Sequence, residues 1–392
     1  MPKNKQTLRI LIVSEPGLDG VFRHVEGLIQ CLLQVEGVEI DFAYSSLRGS
    51  AELSALIQKV ESNGGETLDL KIANSPSPAD LSAYRRLYAF AKRRRPSVTH
   101  AHSSKAGGLG RLLPRSVSGQ VFYTPNAYYG MGKGGGFKTF IFNSAERLLC
   151  SRGISIHVSP EESEFAEATL YLRPPAHVSI PNAVDFAVFR EVASAEERAA
   201  IRQSLGLPED ATVIGSIGRL SYQKNPELLY RAFARFAEEF DTTLPVYLLH
   251  VGNGSDAEMR EMHQLAVDLG IADQVIRPAY RSDPEVFYRA MDAFCLSSRY
   301  EGLPFTGLEA LASNLPLILT DAPGLQSFGA ASYGFSHVYY GQLGDDQSLA
   351  DAMQAWYTQR NAPVNHRTIA QQHFSIPEVY GKILQLYQQY AG

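Results

Sequence analysis

Short runs of apolar residues alternate with longer amphipathic stretches along almost the whole chain. Short apolar runs are typical of strands that are buried on both faces, and the longer stretches repeat apolar residues with helical spacing. This alternation predicts an α/β fold in which helices cover both faces of a parallel sheet. The predicted strands are Leu8 to Val13, Glu39 to Ala43, Val98 to His102, Val121 to Tyr123, Ile154 to Val158, Val213 to Ile217, Pro245 to Val251, Gln274 to Ile276, Ala293 to Ser297 and Leu317 to Thr320.

The same pattern predicts two domains. It restarts after Ile180-Pro181-Asn182, and 392 residues exceed what one hydrophobic core usually organises. We expect one doubly wound sheet in residues 1–180, a second in residues 181–375, and a C-terminal helix in residues 376–392 that packs back toward the first domain. Ligands of doubly wound sheets bind at the carboxyl ends of the strands, so we expect the site in a cleft between the two domains. In the first half, helices are predicted near residues 22 to 34, 51 to 62, 80 to 94, 138 to 150 and 161 to 171.

Composition narrows the class of protein. The chain is 45% apolar and 20% charged, which excludes a disordered or collagen-like protein. Cys31, Cys150 and Cys295 lie far apart, so the sequence encodes neither a disulfide framework nor a cysteine zinc site. The apolar run at the N-terminus is too short for a signal peptide, and no run is long enough to span a membrane. We therefore expect a cytoplasmic protein.

Charge is distributed unevenly. The first 180 residues carry a formal charge of about +5 and the remainder about −10. The basic excess is concentrated between Tyr84 and Arg95, in a predicted helix. This cluster is either a solvated helix end, where cations are favourable, or a surface that docks on anionic lipid headgroups at the inner face of the plasma membrane. Nucleic-acid binding is disfavoured because the chain is acidic overall and the cluster lacks a known module.

Two cations mark a candidate anion site in the second domain. Arg219 and Lys224 lie in a loop that directly follows a predicted strand, and Asn225-Pro226 predicts a helix start just after it. The planar fork of Arg and the point charge of Lys suit a diphosphate. The alternative is a pair of solvated surface cations.

Two glutamates flank a turn that follows another strand. Glu301 precedes the turn, and Glu309 lies in a helix predicted to begin near Thr306. The amides of Leu303, Phe305 and Thr306 could bind an anion at the helix N-terminus. A carboxylate can accept two hydrogen bonds from a vicinal diol. Because Thr306-x-x-Glu309 also fits a capping box, Glu309 remains open between a cap and a ligand.

Two histidines end a strand of the first domain. His100 and His102 point to one face of the sheet, and His102 is nearer the carboxyl end. His100 fits a structural residue, whereas His102 could exchange a proton near neutral pH. Ser103, Ser104 and Lys105 follow at a predicted helix start.

Four segments, in this order, resemble the retaining glycosyltransferases of the GT-B fold, specifically family 4. They are HAHSSKAGGLGR from His100, IPNAVDFAVF from Ile180, GRLSYQKNP from Gly218 and EGLPFTGLE from Glu301. The resemblance implies two Rossmann-like domains and transfer of a sugar from a UDP- or GDP-sugar with retention of configuration. The implied acceptor is a glycan or a lipid-linked saccharide in surface polysaccharide assembly. It also implies that no metal or other cofactor is needed, and no D-x-D spacing occurs in the chain.

The resemblance also implies roles for particular residues. Arg219 and Lys224 would bind the diphosphate, Glu309 the ribose and Glu301 the transferred sugar. The implied catalytic residues are His102, Arg219, Lys224 and Glu301. The implied donor-binding residues are Gly20, Gly218, Arg219, Lys224, Arg277, Tyr280, Glu301, Gly302, Leu303, Pro304, Phe305, Thr306 and Glu309. The implied acceptor-binding residues are Ser103, Ser104, Lys105, Asn126 and Tyr128.

Two glycine-containing loops of the first half bear on how the ligands are bound. Asp19 stands in the loop from Gly17 to Gly20 where the family commonly has a second adjacent glycine. The glycine-rich segment 130–136 could be a mobile lid over the acceptor. Alternatives with the same fold are a sugar-nucleotide epimerase, a glycoside phosphorylase or a non-catalytic sugar-nucleotide-binding protein.

Overall fold

The computed structural model describes residues 7–17, 19–73, 77–131, 136–173, 176–240, 242, 244–279, 281 and 283–391. The chain forms two compact units. The first unit comprises Met1–Ala183 and Ile376–Gly392, and the second comprises Val184–Ser375. The expected domain boundary at residue 180 lies three residues before the end of the first segment, Ala183.

The first unit is built on a seven-stranded parallel sheet in the order β3-β2-β1-β4-β5-β6-β7. Its strands are β1 (Leu8–Ser14), β2 (Val38–Tyr44), β3 (Thr67–Asp69), β4 (Val98–His102), β5 (Gln120–Thr124), β6 (Ile154–His157) and β7 (His177–Ser179). Its helices are α1 (Asp19–Leu32), α2 (Ala51–Ser62), α3 (Ala79–Arg94), α4 (Ser104–Leu112), α5 (Arg115–Ser118), α6 (Phe137–Leu149), α7 (Pro160–Thr169) and the C-terminal α16 (Ile376–Tyr390).

The second unit is built on a six-stranded parallel sheet in the order β10-β9-β8-β11-β12-β13. Its strands are β8 (Thr212–Ile217), β9 (Val246–Val251), β10 (Val275–Ile276), β11 (Ala293–Leu296), β12 (Leu317–Thr320) and β13 (Val338–Gly341). Its helices are α8 (Ala195–Ser204), α9 (Pro226–Glu239), α10 (Asp256–Asp268), α11 (Glu285–Ala290), α12 (Phe305–Ala312), α13 (Ala330–Tyr333), α14 (Asp346–Thr358) and α15 (His366–Phe374).

The predicted α/β class is confirmed, and every predicted strand is present with ends within one residue. The sequence pattern missed β3, β7 and β13. These strands have three or four residues and lie at the edges of their sheets, where few positions are fully buried. Their apolar runs are therefore too short to separate from loops.

Each sheet is buried on both faces. In β1, Ile10 and Ile12 enter one apolar cluster, whereas Leu11 and Val13 enter another on the opposite face. The C-terminal helix α16 belongs to the first of these clusters through Val379, Tyr380, Ile383 and Tyr387. Within the described ranges, no helix combines the length and apolar character needed to cross a membrane.

Strand order reverses once in each sheet. In the first unit the reversal lies between β1 and β4, and in the second it lies between β8 and β11. Loops that leave neighbouring strands at such a point run in opposite directions and open a crevice at the carboxyl edge of the sheet. Of the residues singled out in the sequence, His102, Arg219, Lys224 and Glu301 lie in or next to these two pairs of loops.

The basic cluster on α3 is partly neutralised inside the first unit. Arg93 pairs with Glu66 at 2.6 Å, and Arg94 pairs with buried Asp41 at 2.7 Å. Arg86 donates to the backbone carbonyl oxygens of residues 69 and 70. These contacts favour a structural role for much of the cluster.

We predict opposite effects on stability for two neighbouring glycines of α4. A Cβ atom added at Gly107 would lie 2.2 Å from Cε2 of Tyr123. That ring cannot retreat easily, because the guanidinium carbon of Arg111 lies 3.9 Å from its centroid and Glu146 accepts its hydroxyl proton at 3.0 Å. Gly107→Ala should lower the free energy of unfolding by about 1–3 kcal/mol in urea titrations.

Gly108→Ala is the matched control, since no described atom lies within 4 Å of a Cβ added there. Alanine is the better helix former, so this change should raise the free energy of unfolding by up to about 1 kcal/mol. Equal values for the two variants would show that α4 does not pack on Tyr123 in this way.

Candidate functional site

The candidate site of the second unit lies where β8 and β11 end side by side. The loop after β8 carries Gly218, Arg219 and Lys224, and the loop after β11 carries Ser298 and Glu301. The hydroxyl of Ser297 lies 2.9 Å from the carbonyl oxygens of Lys224 and Asn225. This contact ties the two loops together.

The local prediction for the helix start is confirmed. Asn225 is the N-cap of α9 in a left-handed conformation, and Pro226 is its first residue. A Cβ atom at Gly218 would lie 3.3 Å from the aliphatic carbons of Lys224, so glycine leaves the Lys224 side chain room. A small recess beside Lys224 is lined in part by Ser216, Gly218 and His250.

Lys224 and Glu301 form an ion pair. Nζ of Lys224 lies 2.7 Å from Oε1 of Glu301, and the Ser298 hydroxyl donates to the same oxygen at 2.7 Å. Nε2 of Gln223 donates to Oε2 at 3.1 Å. Glu301 is only 6% exposed, and these donors offset the loss of its hydration.

Sequence reasoning singled out both residues but assigned them to different parts of a ligand. An ammonium group has three N–H donors, so Lys224 can hold Glu301 and bind an anionic oxygen at the same time. The side chain of Arg219 is exposed in the same loop. Gln223 and Ser298 were missed because polar residues in loops carry no periodic signal.

Glu309 is not a helix cap. The N-cap of α12 is Pro304 and the helix begins at Phe305, so Thr306 lies inside the first turn and the capping-box interpretation is wrong. Glu309 is 2% exposed and accepts the hydroxyl proton of Tyr288 at 2.5 Å. Tyr288 comes from α11 and had no signal in the sequence.

The first turn of α12 carries polar groups, and it lies between Glu301 and Glu309 in the sequence. The N–H groups of Phe305 and Thr306 belong to the first turn, where a helix offers no internal acceptor. Among the described residues, Oγ1 of Thr306 is buried and has no hydrogen-bond partner. Gly302, Leu303 and Pro304 form the turn that leads into this helix.

Arg277 has a supporting role in the structure. Its Nη2 donates to the carbonyl oxygen of Gly252 at 3.0 Å and contacts Sδ of Met259 at the same distance. A Cβ atom at Gly252 would lie 1.9 Å from the carbonyl oxygen of Gly218, so Gly252 packs closely against the loop that carries Gly218. The hydrogen bond from Arg277 to Gly252 therefore supports this loop. The expectation that Arg277 lines a base pocket stays a prediction. Tyr280 lies outside the described residues.

The candidate site of the first unit lies where β1 and β4 end. Gly20 lies in the first turn of α1, after β1, and His102 is the last residue of β4, paired in register with Ser14. His100 fits its structural interpretation. Its Nδ1 bonds to the hydroxyl of Tyr387, and its Nε2 lies 2.8 Å from Oγ1 of Thr124.

His102 is buried between two other imidazoles. Its ring centroid lies 4.0 Å from that of His100 and 5.1 Å from that of His24. Within the part of the chain that the structure describes, neither of its ring nitrogens has a hydrogen-bond partner. Burial lowers the pKa of His102 well below its usual value, and His100 and His24 lower it further. His102 is therefore neutral near pH 7, and one of its ring nitrogens is a hydrogen-bond acceptor.

His24 was missed by sequence reasoning. Its Nδ1 lies 2.9 Å from Oδ1 of Asn182, so Nδ1 carries the ring proton and Nε2 is an acceptor. Burial lowers the pKa of His24 to about 4. In the sequence it occupied one position of an amphipathic helix and could not be separated from core residues.

The loops after β4 and β5 are strained. Ser103 has φ 71° and ψ 161°, a region that is almost restricted to glycine. Asn126 and Ala127 have positive φ, and buried Glu162 accepts the N–H of Ala127 at 2.6 Å. Burial raises the pKa of Glu162 to about 7. Backbone strain at the carboxyl edge of a sheet is consistent with a ligand-binding role for this edge.

Two predicted acceptor residues are otherwise engaged. Tyr128 is 2% exposed and bonds to Nε2 of His157 at 3.0 Å, and its assignment to acceptor binding stays a prediction. Lys105 pairs with Asp80 at 3.0 Å. Ser103 and Ser104 are half-buried at the start of α4. Most of the glycine-rich segment, residues 132–135, lies outside the described residues.

Comparison with known proteins finds two matching domains. The Glycosyl transferase 4-like domain matches residues 20–183, and the family Glycosyl transferases group 1 matches residues 197–373. Similar proteins include the UDP-Gal:alpha-D-GlcNAc-diphosphoundecaprenol alpha-1,3-galactosyltransferase of Escherichia coli, 27% identical over 62% of this chain and 63% of that protein. A D-inositol 3-phosphate glycosyltransferase of Kribbella flavida is 32% identical over 47% of this chain and 42% of its own. Both alignments span less than two thirds of the relative's length.

Solved structures share the fold. Sucrose-phosphate synthase from Thermosynechococcus elongatus superposes with a TM-score of 0.77 at 19% identity, over 97% of this chain and 98% of its own. Anabaena HepE in complex with UDP and glucose superposes with a TM-score of 0.80 at 18% identity, over 97% and 100%.

We predict that acid weakens the first unit through its buried histidines. The unfolded chain takes up a proton on His24 near its ordinary pKa of 6.5, whereas the folded chain does so only near 4. The unfolded state therefore binds more protons between these values, and stability falls as pH falls through 6.5. For His24 alone, about 2 kcal/mol should be lost between pH 7.5 and pH 5.

Urea titrations of the native protein and of His24→Gln at the two pH values measure this effect. The variant lacks the titrating ring, so its stability should depend less on pH by about the same 2 kcal/mol. An identical pH dependence would show that His24 titrates normally in the folded protein.

Proposed function

Because this chain belongs to the group 1 glycosyltransferases, of the family-4 type with a GT-B fold, we propose that it moves a sugar from a nucleotide-sugar donor to a saccharide acceptor with retention of configuration. The observation that carries the proposal is the polar arrangement between β8 and β11. Lys224 is held by Glu301, and the loop that carries Glu301 leads into the N-terminus of α12. One cation, one buried carboxylate and helix amides lie on two adjoining loops.

The chemistry of glycosyl transfer needs such an arrangement. When the bond between sugar and diphosphate breaks, negative charge grows on the leaving diphosphate. Fixed cations and helix-terminal amides stabilise that charge more strongly in the transition state than in the ground state. We assign this role to Lys224, Arg219 and the first turn of α12, and propose that these groups serve without a divalent metal ion.

Glu301 is positioned for the transferred sugar. Its carboxylate is bound by Lys224, Ser298 and Gln223, so its position is set before a ligand arrives. A carboxylate next to the cation that binds the diphosphate can accept a hydrogen bond from a sugar hydroxyl. That bond would orient the anomeric carbon. Glu309, fixed by Tyr288, would accept hydrogen bonds from the hydroxyl groups of the ribose.

Relatives support a uridine nucleotide as the first donor to test. The similar galactosyltransferase of Escherichia coli is named for UDP-Gal, and the similar HepE structure contains UDP. That galactosyltransferase is also named for an acceptor on diphosphoundecaprenol, which supports a lipid-linked saccharide as acceptor and a place in surface polysaccharide assembly.

The first unit would bind the acceptor. His102 is neutral and buried at the carboxyl end of β4, and Ser103 and Asn126 lie in strained loops beside it in the sheet. We propose that His102 accepts a hydrogen bond or the proton of the attacking hydroxyl.

We predict that Lys224→Ala raises the activation free energy of the reaction with a UDP-sugar by about 2–4 kcal/mol, which is measured as a lower kcat/KM. Arg235→Ala is the matched control, since Arg235 lies in the following helix and also pairs with a carboxylate, Asp346. The control should keep the native rate.

Native turnover should persist in EDTA, and NMR of the first product should show the donor's anomeric configuration.

Chemical labelling tests the same contact without turnover. Lys224 is the only lysine between residues 184 and 375, so an amine-specific reagent reports on it alone in that segment. UDP should protect it. Native kcat/KM in Lys224→Ala, together with unprotected labelling, would refute the diphosphate assignment.

We predict that Glu309→Gln weakens UDP binding by about 1.5–3 kcal/mol, because a charged acceptor for the ribose hydroxyls is lost. Calorimetry with UDP and its 2′-deoxy and 3′-deoxy analogues measures the effect. The native protein should distinguish UDP from at least one analogue, and the variant should not. If the variant keeps the native discrimination, Glu309 serves only to hold Tyr288.

A further inference from the structure

Helix α6 exposes its apolar side chains. Phe137 is 80% exposed, Phe140 66%, Ile141 48% and Leu148 79%. Residues at these spacings share one face of a helix. A helix on the surface of a soluble domain normally turns that face inward.

The opposite face of α6 carries both polar and apolar residues, and it is turned inward. Glu146 is buried there, pairs with Arg111 at 2.8 Å and accepts the hydroxyl proton of Tyr123. Phe142, on the same side, stacks on Tyr129 with ring centroids 4.4 Å apart. These contacts fix the rotation of α6, so its apolar face cannot turn away from solvent without breaking a buried ion pair.

The exposed apolar face is flanked by cations. Lys138 lies on one side of it, and Arg147 lies on the other. The guanidinium of Arg147 donates to the carbonyl oxygen of Thr169 and lies 4.8 Å from the ring centroid of exposed Tyr171. The one acidic residue of α6 is Glu146, which is buried. The exposed surface of this helix is therefore apolar in the centre and positive along its edges.

We propose that this face of α6 docks on an anionic lipid surface. An apolar strip between cations is the arrangement of helices that lie in the plane of a bilayer, with side chains among the acyl chains and cations at the headgroups. A second copy of this chain fits less well, because a symmetric contact would bring the same cations together. The proposal is independent of the sugar-transfer reaction, and it moves the docking surface from the basic cluster on α3 to α6.

Vesicle sedimentation tests the proposal. The native protein should bind vesicles of phosphatidylethanolamine with phosphatidylglycerol, and bind phosphatidylcholine vesicles weakly. Combining Phe137→Ser, Phe140→Ser and Leu148→Ser should lower the partition coefficient at least about tenfold. The matched control combines Leu47→Ser, Leu81→Ser and Leu112→Ser, which are also exposed leucines of the first unit, and it should bind like the native protein.

Fluorescence locates the contact. The chain has one tryptophan, Trp356, which is buried in α14 of the second unit. In Phe140→Trp, brominated phosphatidylglycerol should quench a large part of the new emission. In Leu81→Trp, with the probe in α3, the quenching should be small.

The outcomes separate docking from catalysis. Native binding by the α6 triple variant, or equal quenching in the two tryptophan variants, would overturn the proposal. So would a dimer in light scattering that the triple variant dissociates while neither protein binds vesicles. Turnover with a water-soluble acceptor should be the same in the native protein and the triple variant.

Discussion

The arrangement of both candidate sites depends on one constraint, the reversal of strand order within a parallel sheet. Parallel strands deliver their following loops to the same edge, and only at the reversal do two adjacent loops turn away from each other. The reversal falls at β1 and β4 in the first unit and at β8 and β11 in the second. His102 and the Lys224–Glu301 pair occupy these positions, so the topology of the sheet brings together residues far apart in the sequence.

Charge within the second site is balanced before any ligand binds. Glu301 is nearly inaccessible to solvent, and a buried carboxylate without donors would be strongly destabilising. Lys224 offsets that cost and is itself held near the start of α9, where a helix disfavours a cation. An anion that reached the same point would relieve this unfavourable placement. The pair is thus a stable structure that still favours a negatively charged ligand.

Much of this could be predicted from the sequence, within clear limits. Buried strands such as β1 and β12 have continuous apolar runs, and Asn225-Pro226 is a local signal for a helix start, so both were predicted correctly. The ion pair of Lys224 and Glu301 joins residues 77 positions apart, and periodicity carries no information at that range. Glu309 fitted a cap and a ligand equally because the choice depended on whether α12 begins at Phe305 or later. Tyr128 looked available because it adjoins a glycine-rich segment, but its ring completes a buried cluster.

The C-terminal helix has a consequence for the order of folding. Tyr387 of α16 bonds to His100, and Tyr380 packs edge-on against His24, so these two imidazole rings are braced by α16. The second unit, by contrast, is one continuous segment. During synthesis it has all of its residues as soon as Ser375 is made, whereas the amino-terminal sheet must wait for α16, which follows the second unit, to close its core. The half made first is therefore the half completed last.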